Sequence, residues 1–295
     1  MSDVRIGIKT SPQDVDWPTI DAMWQLVGSL EDVYDSAWLN DHLTDQNVEH
    51  GGPSFEPVTL LTALARHTER LDVGHLVLAA TFRHPAVLAK EATTLDIVTG
   101  GRYILGLGAG WHEGEHRTMG IELYPIAERI SRFESAVRII KALFSDGARQ
   151  EPGVTVDAPP WRLESATNLP SPVRPDGPPI WLGGQRPRGL RIAARFADGW
   201  NFTANTDPFE RFDERRAVLL REAEAIGRDP STITVSVQIP GGSNDAERRE
   251  AVEKSLAFVA AGARYLILVV PGRLGPDGVR ALTDRVVAPL RDRLG

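Results

Sequence analysis

The sequence predicts an α/β protein built as a single (β/α)8 TIM barrel, and three observations carry that prediction. Apolar runs of strand length alternate with helical patterns eight times along 295 residues, and strict alternation implies parallel strands joined by helical crossovers. Several of these runs end in glycine at their carboxyl side, where barrels of this kind build their sites. No shift in composition divides the chain, so residues 1–295 read as one domain with an insertion at about 145–179.

Taken in order, VRIGIKT at 4–10 is a first strand, and residues 17–33 carry Ile20, Met23, Trp24, Val27 and Leu30 at helical spacing. A second strand at 34–40 ends in Asp41-His42, and a polar, glycine-containing loop leads to a helix at 55–70 built on Leu60, Leu61, Leu64 and Ala65. DVGHLVLAA at 72–80 is the third strand. It leads through Thr81-Phe82-Arg83-His84-Pro85 into a helix with Leu88, Ala92, Leu95 and Val98 on one stripe. Gly100-Gly101 supply the left-handed geometry that ends it. The fourth strand, RYILGLG, breaks into Gly106, Gly108 and Gly110, which would let a ligand approach bare backbone.

A long amphipathic helix follows at 126–144, with Ile130, Phe133, Val137, Ile140, Leu143 and Phe144 on its apolar side. Residues 145–179 are rich in proline and glycine with weak strand patterns at 154–156 and 161–163, which predicts a hairpin insertion, expected to cover the mouth of the barrel. PIWLGG at 179–184 is the fifth strand, followed by a helix at 188–196. The remaining strands fall at 198–204, 233–239 and 265–270, with helices at 208–226, 246–261 and 278–294.

Composition narrows the function. A net charge of −7 without long charge runs argues against a nucleic-acid or anionic-membrane surface and favours a small-molecule partner. With no cysteine, disulfides, thiolate catalysis and cysteine-ligated metals are excluded. The N-terminus shows no secretory pattern and no run reaches membrane-spanning length, so a cytoplasmic protein is expected. Only Lys9, Lys90, Lys141 and Lys254 among the 33 basic residues are lysines.

Because the strands are parallel, the segments after them should ring one mouth: Asp41-His42, residues 81–84, 106–116, Gly183-Gly184-Gln185 and 203–207. Two motifs there point elsewhere and fail on context. Gly106-x-Gly108-x-Gly110 is part of a dinucleotide fingerprint, but Trp111 stands near where a third glycine would open a helix, and the unit is not the first. HEGEH at 112–116 fits a zinc-protease pattern, yet it leaves a glycine loop, carries Gly114 at its centre and lacks a third ligand, so no metal is expected.

The strings SAWLNDHL, TFRHPAVLAKEATTLDIVTGGRYILGLGAGW and PPIWLGGQRPRGLRIAARFADGWN resemble the luciferase-like monooxygenase family, in particular its branch using the deazaflavin coenzyme F420. The resemblance covers the chain to about Asn205. It implies a ring in the mouth near Asp41, His42, Leu76, Val77, Ala79 and Trp111, with His42 and Trp111 as the catalytic pair. A non-proline cis peptide is implied at Leu76-Val77, and a phosphate-bearing tail toward Gly183-Gly184, with Gly108, Ala109, Gly110 and Gln185 also among the cofactor-binding residues. A homodimer is implied as well. Where the family's sugar-phosphate dehydrogenases carry a glutamate, a tryptophan and a lysine, this chain has Trp111, Gln46 and Thr206, so glucose 6-phosphate oxidation is not expected and a less polar substrate is. The leading function is hydride transfer between F420 and a small organic substrate. An FMN-dependent monooxygenase and a non-catalytic flavin-binding barrel remain open.

Overall fold

The computed structural model describes residues 4–46, 48, 52–204 and 209–295. Eight parallel strands close into a barrel, as alternation predicts. In chain order they are β1 (Arg5–Thr10), β2 (Ser36–Leu39), a third strand in two pieces, β3 (Asp72–His75) and β4 (Leu78–Ala79), and β5 (Tyr103–Gly108). After a two-stranded insertion of β6 (Val154–Ala158) and β7 (Trp161–Ala166) come β8 (Ile180–Leu182), β9 (Gly199–Thr203), β10 (Thr234–Pro240) and β11 (Tyr265–Val270). Pairing of β1 with β11 and of β3 with β5 closes the ring.

The helices are α1 (Trp17–Gly28), α2 (Pro57–Leu64), α3 (Pro85–Val98), α4 (Glu113–Thr118), α5 (Ile126–Phe144), α6 (Pro187–Phe196), α7 (Glu210–Ala225), α8 (Asp245–Ala260), α9 (Gly275–Leu282) and α10 (Ala288–Leu294). Three differences from the sequence reading have local causes. The first helix stops at Gly28, where the chain passes so close that a Cβ would lie 1.9 Å from the His67 carbonyl oxygen. The closing helix is split by a π turn at Thr283–Val287, because Pro289 has no N–H to continue the ladder. And α4 was not foreseen: a glycine at its second position and a length of six residues leave no periodic pattern to read.

Two cores follow from the strands' period of two. Residues such as Ile6, Ile8, Ala37, Leu39, Leu266 and Leu268 face the helices. Inside the barrel, Trp38, Leu76, Ile104, Trp181, Tyr265 and Ile267 form a separate cluster, with Trp181 5.1 Å from both Trp38 and Tyr265 between ring centroids. These rings fit because the wall beside them is glycine: a Cβ on Gly74 would lie 2.7 Å from the Trp38 ring and one on Gly199 about 2.5 Å from Trp181.

The insertion is an antiparallel hairpin, as predicted, but it does not cover the mouth. It lies along the flank of the barrel on α5, where Ser135 donates to the Pro159 carbonyl, while Lys90 of α3 donates to Leu169. Only its turn reaches the rim, where the Trp161 ring meets His84 edge-on at 5.9 Å. The hairpin's alternation explains this: Val154, Val156, Trp161 and Leu163 pack against the main core and leave the opposite face polar.

Candidate active site

The third strand is interrupted at Leu76-Val77 by a cis peptide bond, at the position the resemblance implies. The bulge turns the chain across β5, and this explains the glycines there. A Cβ on Gly106 would lie 1.9 Å from the His75 carbonyl oxygen, and one on Gly108 2.7 Å from Val77. Gly110, at φ +77, lies against Thr81. Gly106 and Gly108 therefore accommodate the chain's own bulge, and Gly110 makes room for Thr81. Leu76 is buried in the barrel core, whereas Val77 is partly exposed and also borders Gly183.

Asp41 and His42, adjacent in sequence, have different tasks. The Asp41 carboxylate has no exposed surface; it accepts from the Ala79 amide at 2.7 Å and from both terminal nitrogens of Arg83 at 2.8 and 3.1 Å. Arg83 also reaches Glu56 at 2.5 Å. Asp41, Ala79 and Arg83 thus fasten the strand just past the bulge. Arg83 pairs with the Asp41 and Glu56 carboxylates.

His42 points its Nδ1 at Glu115 Oε2, 3.1 Å away. Glu115, on α4, is 1% exposed in its side chain and also accepts from the Leu43 and Thr44 amides. Burial pushes its carboxyl up, but the His42 contact and the two amides outweigh that and hold it below the ordinary glutamate value. In its neutral form His42 would donate from Nδ1 to this carboxylate, which would leave Nε2 as the basic nitrogen. His112 caps α4 by accepting from the Glu115 amide at 3.0 Å, and His116 bridges the His112 carbonyl and the Thr81 hydroxyl, both at 2.8 Å. HEGEH therefore opens a helix, contrary to the sequence reading, and each histidine serves that helix's seat.

Trp111 stands beside this pair with 63% of its surface exposed, its ring edge-on to His42 at 6.0 Å and to His112 at 5.0 Å. An indole can donate one hydrogen bond and offer a face, but it cannot take a proton. Ala109 lines a rim cleft of about 270 Å³ with Thr81, Tyr124, Arg129, Arg132 and Trp161. The Arg132 guanidinium lies 3.6 Å over the Tyr124 ring.

After β8, the Gly183 amide donates to the Leu107 carbonyl at 3.0 Å. Gly184, at φ +110, lends its carbonyl to Trp200 Nε1. Gln185 leads into α6, whose N-cap Arg186 makes no capping bond, and the Gln185 Oε1 is buried without a hydrogen-bond partner, as is Gln46 Oε1. Buried amide oxygens of this kind call for a donor. The loop at 205–208, including Thr206, lies outside the described residues, as does His50.

The remaining histidines are structural. His75, fully buried, bonds the Tyr103 hydroxyl and the Pro57 carbonyl, both at 3.0 Å, and burial pushes it down to about 4. His67 pairs with Asp21 at 2.8 Å, and His84 caps α3.

A parallel barrel with a bulged third strand and a histidine-glutamate pair at its carboxyl end defines a class of barrel oxidoreductase folds. The chain belongs to the luciferase-like monooxygenase family, whose profile matches residues 6–285. It is 31% identical to the phthiodiolone/phenolphthiodiolone dimycocerosates ketoreductase of Mycobacterium tuberculosis (strain ATCC 25618 / H37Rv) over 272 residues, 86% of this chain and 68% of that one. To the F420-dependent glucose-6-phosphate dehydrogenase of Microbacterium testaceum it is 35% identical over 176 residues, 59% of this chain and 50% of that one. Among solved structures, an F420-dependent secondary alcohol dehydrogenase in complex with an F420-acetone adduct superposes with a TM-score of 0.74 at 19% identity, covering 98% of both chains. The long-chain alkane monooxygenase LadA does so at 0.80 and 16%, covering 99% of this chain and 92% of that one. Both likenesses are of fold.

Proposed function

We propose that the chain is an F420-dependent oxidoreductase that moves a hydride between the deazaflavin and the carbinol or carbonyl carbon of a small, largely apolar substrate. The observation that carries this reading is the His42 ring, bonded through Nδ1 to buried Glu115; Nε2 would then meet a substrate oxygen. The names of the relatives above, two of them F420-dependent and one a ketoreductase, support it.

When bound, F420 supplies the ring carbon that accepts or gives the hydride. Val77, exposed on the bulge, would border the ring. Gln185, with its orphaned Oε1, and the uncapped N-terminus of α6 would take the polar edge and the phosphate. His42 Nε2 accepts the hydroxyl proton of an alcohol as its carbon loses hydride, and returns it in the reverse direction. Glu115 stabilises the imidazolium that forms, and Trp111 gives the substrate an aromatic wall where an acid would favour a sugar phosphate.

We further propose one domain across residues 1–295 and a cytoplasmic homodimer. Val87, Ile97 and Val98 stand exposed on α3, which suits a partner surface. Among the described residues, no helix is long and apolar enough to cross a membrane.

The test is binding followed by turnover. The protein should bind F420, and the reduced form should be oxidised by a panel of ketones in the absence of oxygen. Tight binding of FMN with oxygen consumption and no affinity for F420 would replace this function with a monooxygenase.

A further inference from the structure

Lys9 is a cation buried in the floor of the mouth, and nothing derived so far uses it. It lies near the carboxyl end of β1 and is 6% exposed. Its Nζ donates to the Leu76 carbonyl, on the cis peptide itself, and to Gln238 Oε1 of β10, both at 2.9 Å. Because β11 stands between β1 and β10, the bond to Gln238 crosses the inside of the barrel. Val269 and Thr203, the register partners of Lys9 and Gln238, and Val77 beside Leu76 are only partly covered, so this layer borders the mouth.

The ammonium has a third N–H, and no acceptor for it exists among the described residues. No carboxylate compensates the charge either. Arg5 and Asp72, at the opposite, amino-terminal end of the barrel, pair with each other at 2.8 Å, and His42 pairs with Glu115. From the neighbouring strands, Trp38 and Asn40, Ser236, and Ile267 and Tyr265 face the interior. Of these only the Tyr265 phenol titrates, and burial drives it upward, keeping it neutral. Burial pushes Lys9 down to about 7. A methionine of similar length would fill the same space without an unpaired charge, so the residue's chemistry, not its volume, calls for an explanation.

We infer that Lys9 is the cation that balances negative charge on the cofactor ring, so that the site binds the reduced ring more tightly than the oxidised one. The inference rests on the proposed cofactor. A hydride carries two electrons and one proton, so its arrival adds one negative charge to the ring, while the substrate oxygen releases its proton to His42. Lys9 exchanges no atom in this step; its charge meets the charge that the ring gains. An ammonium placed in a water-poor floor does this more effectively than one in solvent.

The experiment is calorimetric titration of wild-type protein, Lys9→Met and Lys9→Arg with oxidised and with reduced F420 at pH 7, in two buffers of different ionisation enthalpy. Wild-type protein should take up a fraction of a proton on binding the reduced cofactor, as Lys9 becomes fully protonated. The preference for reduced over oxidised cofactor should fall at least about tenfold in Lys9→Met and persist in Lys9→Arg, which should show no uptake. An unchanged preference in Lys9→Met overturns the inference and leaves the cofactor assignment standing. So does the absence of proton uptake by wild-type protein, a reading that requires no variant to fold. Failure of wild-type protein to bind F420 at all ends the cofactor assignment, and Lys9 with it.

Discussion

The sharpest consequence of the site is that a glutamate 73 residues from His42 in sequence should govern its chemistry. Glu115→Gln is nearly isosteric, so the packing of α4 survives, but the charge that fixes the His42 proton on Nδ1 is gone. Three donors converge on this carboxylate: the His42 ring and the Leu43 and Thr44 amides. The amide oxygen of glutamine can keep the two backbone donors, so the bond to His42 is the one lost or turned round. A hydrogen bond to a charged group contributes about 1.5–3 kcal/mol. Were all of it expressed as the imidazolium forms, kcat would fall by roughly 10- to 150-fold at about 1.4 kcal/mol per decade. Substrate KM should change little, because neutral His42 binds the substrate oxygen in either case. The assay is steady-state hydride transfer followed by cofactor absorbance across pH, alongside His42→Ala, which should lose about 10²- to 10⁴-fold. If Glu115→Gln melts earlier but retains wild-type kcat and the wild-type pH profile, the pair is structural and the acid-base assignment fails.

Other expectations are independent of that pair. Gly183→Val should leave the fold intact, since its Cβ would sit 3.4 Å from Val77, yet weaken F420 binding by filling the mouth; unchanged affinity would argue against the assigned tail path. Gly184→Val adds backbone strain of about 1–2 kcal/mol at φ +110, visible as a lower melting temperature even without cofactor. Arg83→Met strips the buried Asp41 of its partner and should cost roughly 3–5 kcal/mol in urea unfolding. His75 is held neutral well below the ordinary histidine value of 6.5, so the unfolded chain binds the extra proton. Stability should therefore fall by about 3 kcal/mol from this group as pH drops from 6.5 to about 4, and no further below that. A His75→Gln variant should show a flatter profile over the same window.

What the sequence made legible was what repeats. Runs such as YLILVV and the helix at 126–144 were placed to the residue because burial on both faces, or on one stripe, leaves a periodic trace. The bulge was different: DVGHLVLAA reads as one strand, and only the resemblance marked Leu76-Val77. The reason for Gly106 and Gly108 lies in a crossing by another segment, which no local pattern encodes. Glu115 appeared in the sequence only as part of HEGEH; its contact with His42 is long-range and requires the barrel to be closed. Asp41 and His42, adjacent in sequence, bond different partners because consecutive residues leaving a strand point in opposite directions.

The attachment of His42 to α4 separates two kinds of change that evolution could make. Glu115 holds the proton-handling residue from inside the helix, while Trp111 lies before its N-cap, largely in solvent, and contributes no hydrogen bond to that hold. Position 111 can therefore be rewritten without breaking the bond that holds the histidine two barrel strands away. A barrel of this design can acquire new substrates by exchanging one projecting side chain, retaining its reaction while it changes what it reacts with.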